Sequence, residues 1–397
     1  MNTPPPYQTY LLDLLQQIEA GYGHPIEPRL REAFLDNPRH RFIPRYQHPI
    51  TRQWVELNPQ SLDEHLPTLY ANRSLGIYQL GESSFIATIS QPVLVLNMLF
   101  LLDIQPGMSV FEIGTGSGWN AALMSSLVGP QGHVYSAEIL PDLVTSSQQA
   151  LRESLTQSVT VLLGDGMAGY ASGAPFDRII FTAGAYDIPL ALHQQLKEGG
   201  LLLAVLKIAG GGDDLVLLKK QDGILVSQYL APVQFVPVLG SYRSEQRDGE
   251  PLSAFLEQVH LVPEPIDRMP FWWGSRLSWN MMERTEGIRS YLQLSEPDYR
   301  VFITDPASPA YCFGLYDGVT ESLVVVQNDS LVSYGNLGAR TRLLAALGQW
   351  VERGMPSSVR LRLRIHPQPF HVATVGQGWV VKQTDSVFVW EPVSDVE

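Results

Sequence analysis

Residues 114–118, Gly-Thr-Gly-Ser-Gly, lie between an apolar run at 108–113 and a helix-like stretch that begins at Trp119. Glycine takes positive φ and has no Cβ, so such a turn can fold tightly and let a ligand approach the backbone. Glu138 follows 24 residues after Gly114, at the end of the next apolar segment. A carboxylate at that place can accept hydrogen bonds from both hydroxyl groups of a ribose. The spacing therefore predicts a site for a ribose-bearing ligand.

The elements around the turn are predicted to be strand, turn, helix and strand, which together make one βαβ unit. Such units bind ligands at the carboxyl end of the first strand, and we expect amide groups at the helix start to face the ligand. A dinucleotide-binding fingerprint requires Gly-x-Gly-x-x-Gly, but Trp119 stands in place of the last glycine. The sequence instead places Glu112 before Gly-x-Gly-x-Gly and Glu138 after it.

This pattern resembles motif I and the following acidic residue of class I S-adenosylmethionine-dependent methyltransferases. The resemblance implies S-adenosyl-L-methionine as cofactor and an α/β fold with a Rossmann-like doubly wound sheet. Asp165, after a strand predicted at 159–163, can accept from an adenine amino group; a solvent-facing turn is the alternative there. The implied cofactor-binding residues lie near the carboxyl ends of the predicted strands or in the segments that follow them: Glu112, Gly114, Thr115, Gly116, Gly118, Asn120, Glu138, Ile139, Asp165, Gly166 and Thr182. A glycine-rich turn that binds no such cofactor is the alternative for the whole pattern.

Further segments resemble protein-L-isoaspartate O-methyltransferases. Thr-Ile-Ser-Gln-Pro at 88–92 matches the substrate-site signature of that family, and 38–44 and 235–238 match two other segments. The resemblance covers roughly residues 8–240, with five motifs in the right order. From spacing alone, Thr88 and Ser90 are better explained as caps of the helix predicted at 93–102. The resemblance implies instead that they are catalytic and place the acceptor carboxylate.

A chain of 397 residues is too long for one ordinary domain. We predict a catalytic domain at 1–240, with N-terminal helices in its first 50 residues, a linker region at 241–280 and a smaller α+β domain at 281–397. The last range alternates strand-like runs with one clear helix at 339–353. It shows no catalytic constellation, so we expect an accessory role for it.

Composition excludes several kinds of partner. The net charge is −13 and no Lys/Arg run is present, which argues against a nucleic acid substrate. Cys312 is the single cysteine and the histidines lack ligand spacing, so we predict no metal. No apolar run approaches the roughly 20 residues of a membrane span, and the N-terminus does not resemble a secretory signal. We therefore predict a cytoplasmic protein without a membrane contact.

The implied reaction is methylation of an aspartyl or isoaspartyl carboxylate in a protein or peptide, giving an ester that collapses to a succinimide. Repair enzymes approach the Thr-Ile-Ser motif through Leu-Pro-Ile-Gly-x-Gly, whereas the approach at 75–86 is longer and lacks the proline. This departure, residues 120–123 and the C-terminal range resemble long bacterial homologues associated with lanthipeptide or graspetide tailoring. Isoaspartate repair and dedicated modification of a normal aspartate both stay open. A non-catalytic module that holds cofactor or peptide is a third possibility.

Overall fold

The computed structural model describes residues 5–81, 86–207, 213–243, 249–271, 279–304, 311–327, 329–354, 360–371 and 378–393. The helices in these ranges are α1 (Pro6–Tyr22), α2 (Pro28–Asp36), α3 (Leu62–Leu69), α4 (Pro92–Leu102), α5 (Trp119–Val128), α6 (Pro141–Glu153), α7 (Leu190–Gln195), α8 (Leu252–Gln258), α9 (Trp279–Ser295) and α10 (Gly338–Glu352). Two short 3-10 helices lie at Arg39–Phe42 and Gly166–Ala168.

The strands are β1 (Arg45–Gln47), β2 (Trp54–Glu56), β3 (Leu75–Gln79), β4 (Ile86–Ile89), β5 (Ser109–Ile113), β6 (His133–Glu138), β7 (Val159–Leu163), β8 (Phe176–Ala185), β9 (Leu196–Lys207), β10 (Asp213–Gln221), β11 (Ile224–Val233), β12 (Glu250–Pro251), β13 (Asp267–Pro270), β14 (Tyr299–Ile303), β15 (Tyr311–Asp317), β16 (Ser322–Gln327), β17 (Ser330–Tyr334), β18 (Leu361–Pro367), β19 (Trp379–Lys382) and β20 (Ser386–Pro392). The chain divides into two compact units.

The first unit comprises Met1–Ala183, Gln194–Leu203 and Leu239–Ser241. Its strands lie in the order β9-β8-β5-β6-β7, and β5 pairs in parallel with both β6 and β8. The chain runs outward from β5 to β6 and β7 and then returns to β8 on the other side, so the order reverses at β5. Ligands bind at the carboxyl ends of strands at such a reversal. The predicted doubly wound sheet is confirmed, with its crevice at the ends of β5 and β8.

Helix α1 carries its apolar residues at the spacing of one helical face. Leu11, Leu14, Leu15 and Ile18 are all buried, and the helix lies within the first 50 residues, where N-terminal helices were predicted. Strand β5 instead carries apolar side chains on both faces: the consecutive residues Val110 and Phe111 are both fully buried, because both faces of the parallel sheet are covered. The glycine turn therefore follows a strand that cannot shift without exposing its core.

The second unit comprises Gly184–His193, Ala204–Val238 and Tyr242–Glu397. Strands β10 and β11 form a hairpin around Asp222 and Gly223, which both have positive φ, and β11 pairs antiparallel with β18. A separate sheet has the order β12-β14-β15-β16-β17-β13 and packs against α10, whose Leu343 and Trp350 are fully buried. The predicted α+β character of the C-terminal part agrees with these elements.

Buried polar groups join the loop before α7 to the turn between β19 and β20 within this unit. The amide of Asp385 donates to Asp187 Oδ2 at 2.7 Å, and Ser386 Oγ donates to the carbonyl of Ile188 at 2.6 Å. Because the Ser386 proton is used there, His193 Nε2 is the donor in its 2.9 Å bond with Ser386 Oγ. Residues near the C-terminus thus complete the environment of residues 187–193.

Several elements differ from those predicted. Residues 197–200, whose two glycines are typical of a turn, lie in β9, and α9 adds a helix that the sequence analysis missed. The range 241–280 is no simple linker, because β12, α8 and β13 lie in it and β13 pairs with β17. The units also do not follow the predicted ranges, since β11 from the range 1–240 pairs with β18. The functional division of the chain stays a prediction.

Candidate functional site

The glycine turn after β5 has a conformation that other residues rarely adopt. Gly114, Gly116 and Gly118 have φ values of +98°, +54° and +84°. A Cβ on Gly114 would overlap Thr182 Oγ1, which donates to the carbonyl oxygens of Ile113 at 2.9 Å and of Gly114 at 2.5 Å. Thr182 at the crevice side of β8 therefore holds the turn in place through contacts that require glycine.

Three amide groups of the turn, those of Gly114, Thr115 and Gly116, bind protein acceptors, so the prediction that amide groups face the ligand stays open only for the helix start. Those of Gly114 and Thr115 donate to the carbonyl of Ala137 at 2.9 and 3.2 Å. The amide of Gly116 donates to Glu138 Oε2 at 2.9 Å. The sequence could not show this, because the acceptors come from the neighbouring strand β6.

Glu138 at the end of β6 points at the glycine turn. Besides Gly116, it accepts from the amide of Leu140 through Oε1 at 3.0 Å, and the side chain is 6% exposed. Burial raises the pKa of this carboxyl above its ordinary value. A carboxylate oxygen can accept more than one hydrogen bond, so each oxygen keeps capacity for a ribose hydroxyl. The orientation fits the role predicted for Glu138.

Glu112 lies beneath the turn and is fully buried. Asn120 Nδ2 donates to its Oε1 at 2.7 Å, and Ser136 Oγ donates to its Oε2 at 2.6 Å. Ser136 Oγ is in turn 2.6 Å from Thr115 Oγ1, so Thr115 donates to it. Glu112, Asn120 and Thr115, all predicted to bind cofactor, are thus engaged with one another, and Ser136 completes the network.

We expect Glu112→Gln to remove part of the pH dependence of stability. Burial raises the pKa of Glu112 from 4.5 to about 7 in the folded protein. The stabilisation that comes from this raised pKa is complete below about pH 4.5 and is lost as the pH rises through about 7. Between about pH 5 and 8, the free energy of unfolding should therefore fall by about 1–3 kcal/mol less in the variant. Urea unfolding at both pH values measures this.

The exposed Glu153→Gln is the matched control for this pH experiment. It removes a carboxylate from α6 without touching the buried network. A pH dependence that is the same in Glu112→Gln, Glu153→Gln and the natural sequence would contradict the raised pKa of Glu112.

Asp165 follows β7, where the sequence predicted an adenine contact. Its Oδ1 accepts from the amide of Met167 at 3.0 Å, and its Oδ2 accepts from the amide and hydroxyl of Ser241 at 3.1 and 2.8 Å. A Cβ on Gly240 would lie 2.9 Å from Ile139 Cδ1 and would overlap the Asp165 carboxylate. Residues 239–241 therefore border the predicted adenine site. Asp165 Oδ1 accepts only one of these hydrogen bonds, so it has capacity for one more donor. Gly166 beside it is buried.

Thr88 lies on β4, which forms a small antiparallel hairpin with β3, and Ser90 directly follows β4. They are half-buried and alternate with the buried Ala87 and Ile89, so their side chains share one face of the strand. A Cβ built on Gly116 would lie 4.0 Å from the Thr88 carbonyl oxygen. The structure thus brings the predicted acceptor segment to the glycine turn.

The structure also decides whether these hydroxyl groups cap helix α4. The N-cap is Gln91, which makes no side-chain cap bond, and the amide of Val93 is bound by Asn72 Oδ1 at 3.1 Å. Among the described residues, neither Thr88 nor Ser90 caps the helix. Helix capping, which spacing alone favoured, therefore does not explain why Thr88 and Ser90 lie beside the turn.

The β3–β4 hairpin also reaches the start of α6. Tyr78 Oη donates to Asp142 Oδ2 at 3.0 Å, three residues after Ile139. The hairpin thus approaches both the glycine turn, through Thr88, and the first turn of α6, through Tyr78. All thirteen predicted site residues lie in the first unit, around the carboxyl ends of β5, β6, β7 and β8 and the end of β4.

Comparison with known proteins gives the same family that the motifs suggested. The family model of protein-L-isoaspartate(D-aspartate) O-methyltransferase matches residues 13–243, more than half of the chain. The chain belongs to this family. A protein-L-isoaspartate O-methyltransferase of Methanothrix thermoacetophila is 37% identical over 217 residues, which are 55% of this chain and 90% of that protein. One from Pyrococcus horikoshii is 43% identical over 156 residues, 39% of this chain and 70% of that protein.

A solved structure of a protein-L-isoaspartate O-methyltransferase has a TM-score of 0.53 and 24% identity. The similarity covers 89% of this chain and 96% of that one, so the shared fold extends beyond the family match into the C-terminal part. The predicted class I methyltransferase fold is confirmed, as are an enzyme of this family and S-adenosyl-L-methionine as its cofactor. The names of these relatives describe methyltransferases that act on protein L-isoaspartate.

Two further findings concern the described part of this isoaspartyl methyltransferase homologue. Within the described ranges, no helix has the length and apolar character needed to cross a membrane. The described side chains also contain no group of three or more His, Cys, Asp or Glu residues that could hold a metal ion.

Sequence reasoning missed several residues that shape the site: Asn72, Ser136, Gly240 and Ser241. Ser136 interrupts the apolar run of β6, and this polar residue in a buried strand was the available signal. Gly240 lies two residues after the segment at 235–238 that resembles the family. Asn72 carried no signal, because its partner Val93 is brought to it by the fold.

Proposed function

We propose that the protein methylates the side chains of isoaspartyl residues in proteins or peptides, with Ser90 and Thr88 positioning the acceptor carboxylate. The observation that carries this proposal is the approach of the Thr88 carbonyl to Gly116 of the glycine turn. Segments that resemble the substrate-site and cofactor-site motifs meet at one place. The curated relatives, named as isoaspartyl methyltransferases, support the choice of acceptor.

Each side of the site has its own task. Glu138 orients the ribose, and Asp165 with Gly166 borders the adenine. Glu112 and Asn120 support the turn from below rather than from within the crevice. The Ser90 hydroxyl donates to the acceptor carboxylate, which fixes one of its oxygens for attack. No general base is required, because the carboxylate is already ionised at neutral pH.

S-adenosyl-L-methionine supplies an activated methyl group: the acceptor oxygen forms the new C–O bond, and the electrons of the breaking C–S bond pass to sulfur. The protein accelerates this step by alignment and by excluding water from both partners. Correct alignment alone can contribute about 7–11 kcal/mol to lowering the barrier. The half-buried hairpin face of Thr88 and Ser90 is suited to that exclusion.

The ester explains the biological use of the reaction. Methoxide is a better leaving group than oxide, so a neighbouring backbone nitrogen can close a succinimide and release methanol. Hydrolysis of that ring returns part of the product as normal aspartate. Methylation of isoaspartate by this chain would therefore start a repair.

Tailoring of a normal aspartate in a dedicated peptide is the second candidate. The approach to the Thr-Ile-Ser motif supports it, because β3 carries Leu75-Gly76-Ile77-Tyr78 without the proline of repair enzymes. Residues 82–85 of this approach lie outside the described residues. The C-terminal part favours neither candidate, since its fold is shared with a solved isoaspartyl methyltransferase.

The test is methylation of an isoaspartyl peptide and of its normal aspartyl twin with labelled cofactor. We expect kcat/KM to be higher for the isoaspartyl peptide by at least about a hundredfold, a difference of about 3 kcal/mol in the transition state. Similar rates for both peptides, or activity only on the normal aspartyl form, would favour tailoring. Cofactor binding without methylation of any peptide would point to a binding module. The cytoplasmic location and the absence of nucleic acid, membrane and metal partners stay predictions.

A further inference from the structure

Arg39 is a buried arginine that donates to the backbone behind the acceptor segment. The residue is 1% exposed and lies in the 3-10 helix Arg39–Phe42. Its Nη1 donates to the carbonyl of Leu69 at 2.9 Å. Its Nη2 is bonded to the carbonyls of Arg73, Ile89 and Ser90 at 2.9, 3.2 and 2.9 Å. One side chain therefore fixes the Ile89–Ser90 backbone to two other segments.

The charge of Arg39 is not neutralised by a carboxylate among the described residues. All four hydrogen-bond acceptors are backbone carbonyls, and Nε is buried without a described partner. Burial lowers the pKa of the guanidinium to about 9, which still leaves it protonated at neutral pH. Buried charges are ordinarily paired, since an unpaired one is costly in a medium of low dielectric constant. The unpaired positive charge of Arg39 therefore attracts an anion that binds beside Ser90.

Arg39 also contacts the cofactor side of the site. Its Cζ lies 5.6 Å from the ring centroid of Trp119, the first residue of α5 after the glycine turn. Trp119 Nε1 donates to the carbonyl of Asn37 at 2.9 Å, so the loop that carries Arg39 is bound to α5 as well. The same loop thus fixes the acceptor segment relative to the helix that begins at the cofactor turn.

We propose that Arg39 is a positioning residue that holds Ser90 against the cofactor turn and gives the site its preference for an anionic acceptor. This inference rests on the proposed function, because it takes the segment at Ser90 as the acceptor site. A carboxylate bonded to the Ser90 side chain is held by the same residue whose carbonyl binds the guanidinium, and the burial of Arg39 lowers the local dielectric constant, which strengthens their attraction. A neutral amide of the same shape would gain nothing from that charge.

Arg29 provides a matched control for a purely structural arginine. It also donates to backbone carbonyls, those of Ile104 and Leu127 at 3.1 and 3.0 Å, and to Gln105 Oε1 at 3.1 Å. It is half-buried in α2, in the same unit as Arg39, but none of its partners belongs to the acceptor or cofactor segments. Its removal should lower stability without changing which acceptor binds.

The experiment compares Arg39→Met, Arg39→Lys and Arg29→Met with the natural sequence in the full chain. With S-adenosylhomocysteine bound, calorimetry measures the Kd of an isoaspartyl peptide and of its isoasparaginyl twin, which carries a neutral amide in place of the carboxylate. Methylation assays give KM and kcat for the isoaspartyl peptide, and Kd for the cofactor product shows that each variant is folded.

In Arg39→Met, we expect the preference for carboxylate over amide to fall by at least about tenfold and KM to rise equally, with Kd for the cofactor product changed by less than about threefold. Arg39→Lys keeps the charge but not the planar fork of donors, so it should keep most of the preference while kcat falls. Arg29→Met should keep both values. This pattern would be absent if Arg39 only stabilised the fold.

The outcomes separate this proposal from the proposed function. If the natural sequence methylates the isoaspartyl peptide but Arg39→Met and Arg29→Met behave alike, the role of Arg39 is overturned and the function stands. If Arg39→Met does not fold, Arg39→Lys decides. The positioning role is overturned if Arg39→Lys has both the carboxylate preference and the kcat of the natural sequence. If the natural sequence methylates neither peptide, the function fails and the anion preference fails with it. Hydrogen exchange of residues 88–91 then decides the positioning role, which requires selective loss of protection in Arg39→Lys relative to Arg29→Met.

Discussion

Gly114→Ala is expected to raise the Kd of S-adenosylmethionine by roughly a hundredfold, although it adds only one methyl group. The substitution forces an alanine to a φ of +98° and drives its Cβ into Thr182 Oγ1, which is bonded to the turn itself. Backbone strain and overpacking each cost about 1–3 kcal/mol, and the turn can relieve them only by moving into the crevice. Calorimetric titration with the cofactor measures the change.

Gly107→Ala is the matched control for Gly114→Ala. Gly107 has a φ of +83° just before β5, but a Cβ there would meet no atom within 4 Å. It should therefore lower stability through backbone strain alone, while the Kd of the cofactor stays within about twofold. Equal losses of cofactor affinity in both variants would show that strain, and not the contact with Thr182, limits residue 114.

Ser90→Ala is expected to lower kcat by about tenfold to a hundredfold and to leave cofactor affinity nearly unchanged. The hydroxyl lies on the half-buried face of the hairpin, where losing one hydrogen bond to an ionised acceptor costs about 1.5–3 kcal/mol. Among the described residues it does not cap α4, so the variant should keep its helix and its stability. Steady-state kinetics with the isoaspartyl peptide and calorimetry with the cofactor measure the two effects separately.

Glu138→Ala should give the opposite result, a cofactor affinity weakened by about 1–3 kcal/mol, because Gly116 and Leu140 lose a buried acceptor in addition to the ribose contact. Its kcat at saturating cofactor should change less than that of Ser90→Ala. If both variants lose cofactor affinity equally, the division between an acceptor segment and a cofactor turn is incorrect.

Local sequence patterns predicted many elements because their signals are confined to a few residues. Strand β7 has the predicted bounds, and helices α4 and α10 begin within one residue of the predicted positions. Elements with weak local signals were missed. The strand at residues 197–200 contains Gly199 and Gly200, which are typical of turns, and only pairing within the sheet makes it a strand.

The roles of individual site residues could not be predicted from the sequence pattern alone. Glu112 and Glu138 both stand at the ends of apolar segments and looked equivalent as cofactor ligands. The fold buries Glu112 completely with Asn120 and Ser136, whereas Glu138 lies at the turn with capacity to bind further donors. Their difference arises from the parallel pairing of β5 with β6, which no local pattern specifies.

The sequence by itself determined the βαβ unit, the glycine turn, the family and its cofactor, because these depend on residue types at short, fixed spacings. Only the tertiary structure decided that Thr88 lies beside Gly116, that Ser241 binds Asp165, and that Arg39 holds Ser90 without a carboxylate partner among the described residues. Such contacts join residues far apart in the chain. They exist because burying the apolar strands and helices leaves the chain one arrangement in which these polar groups meet.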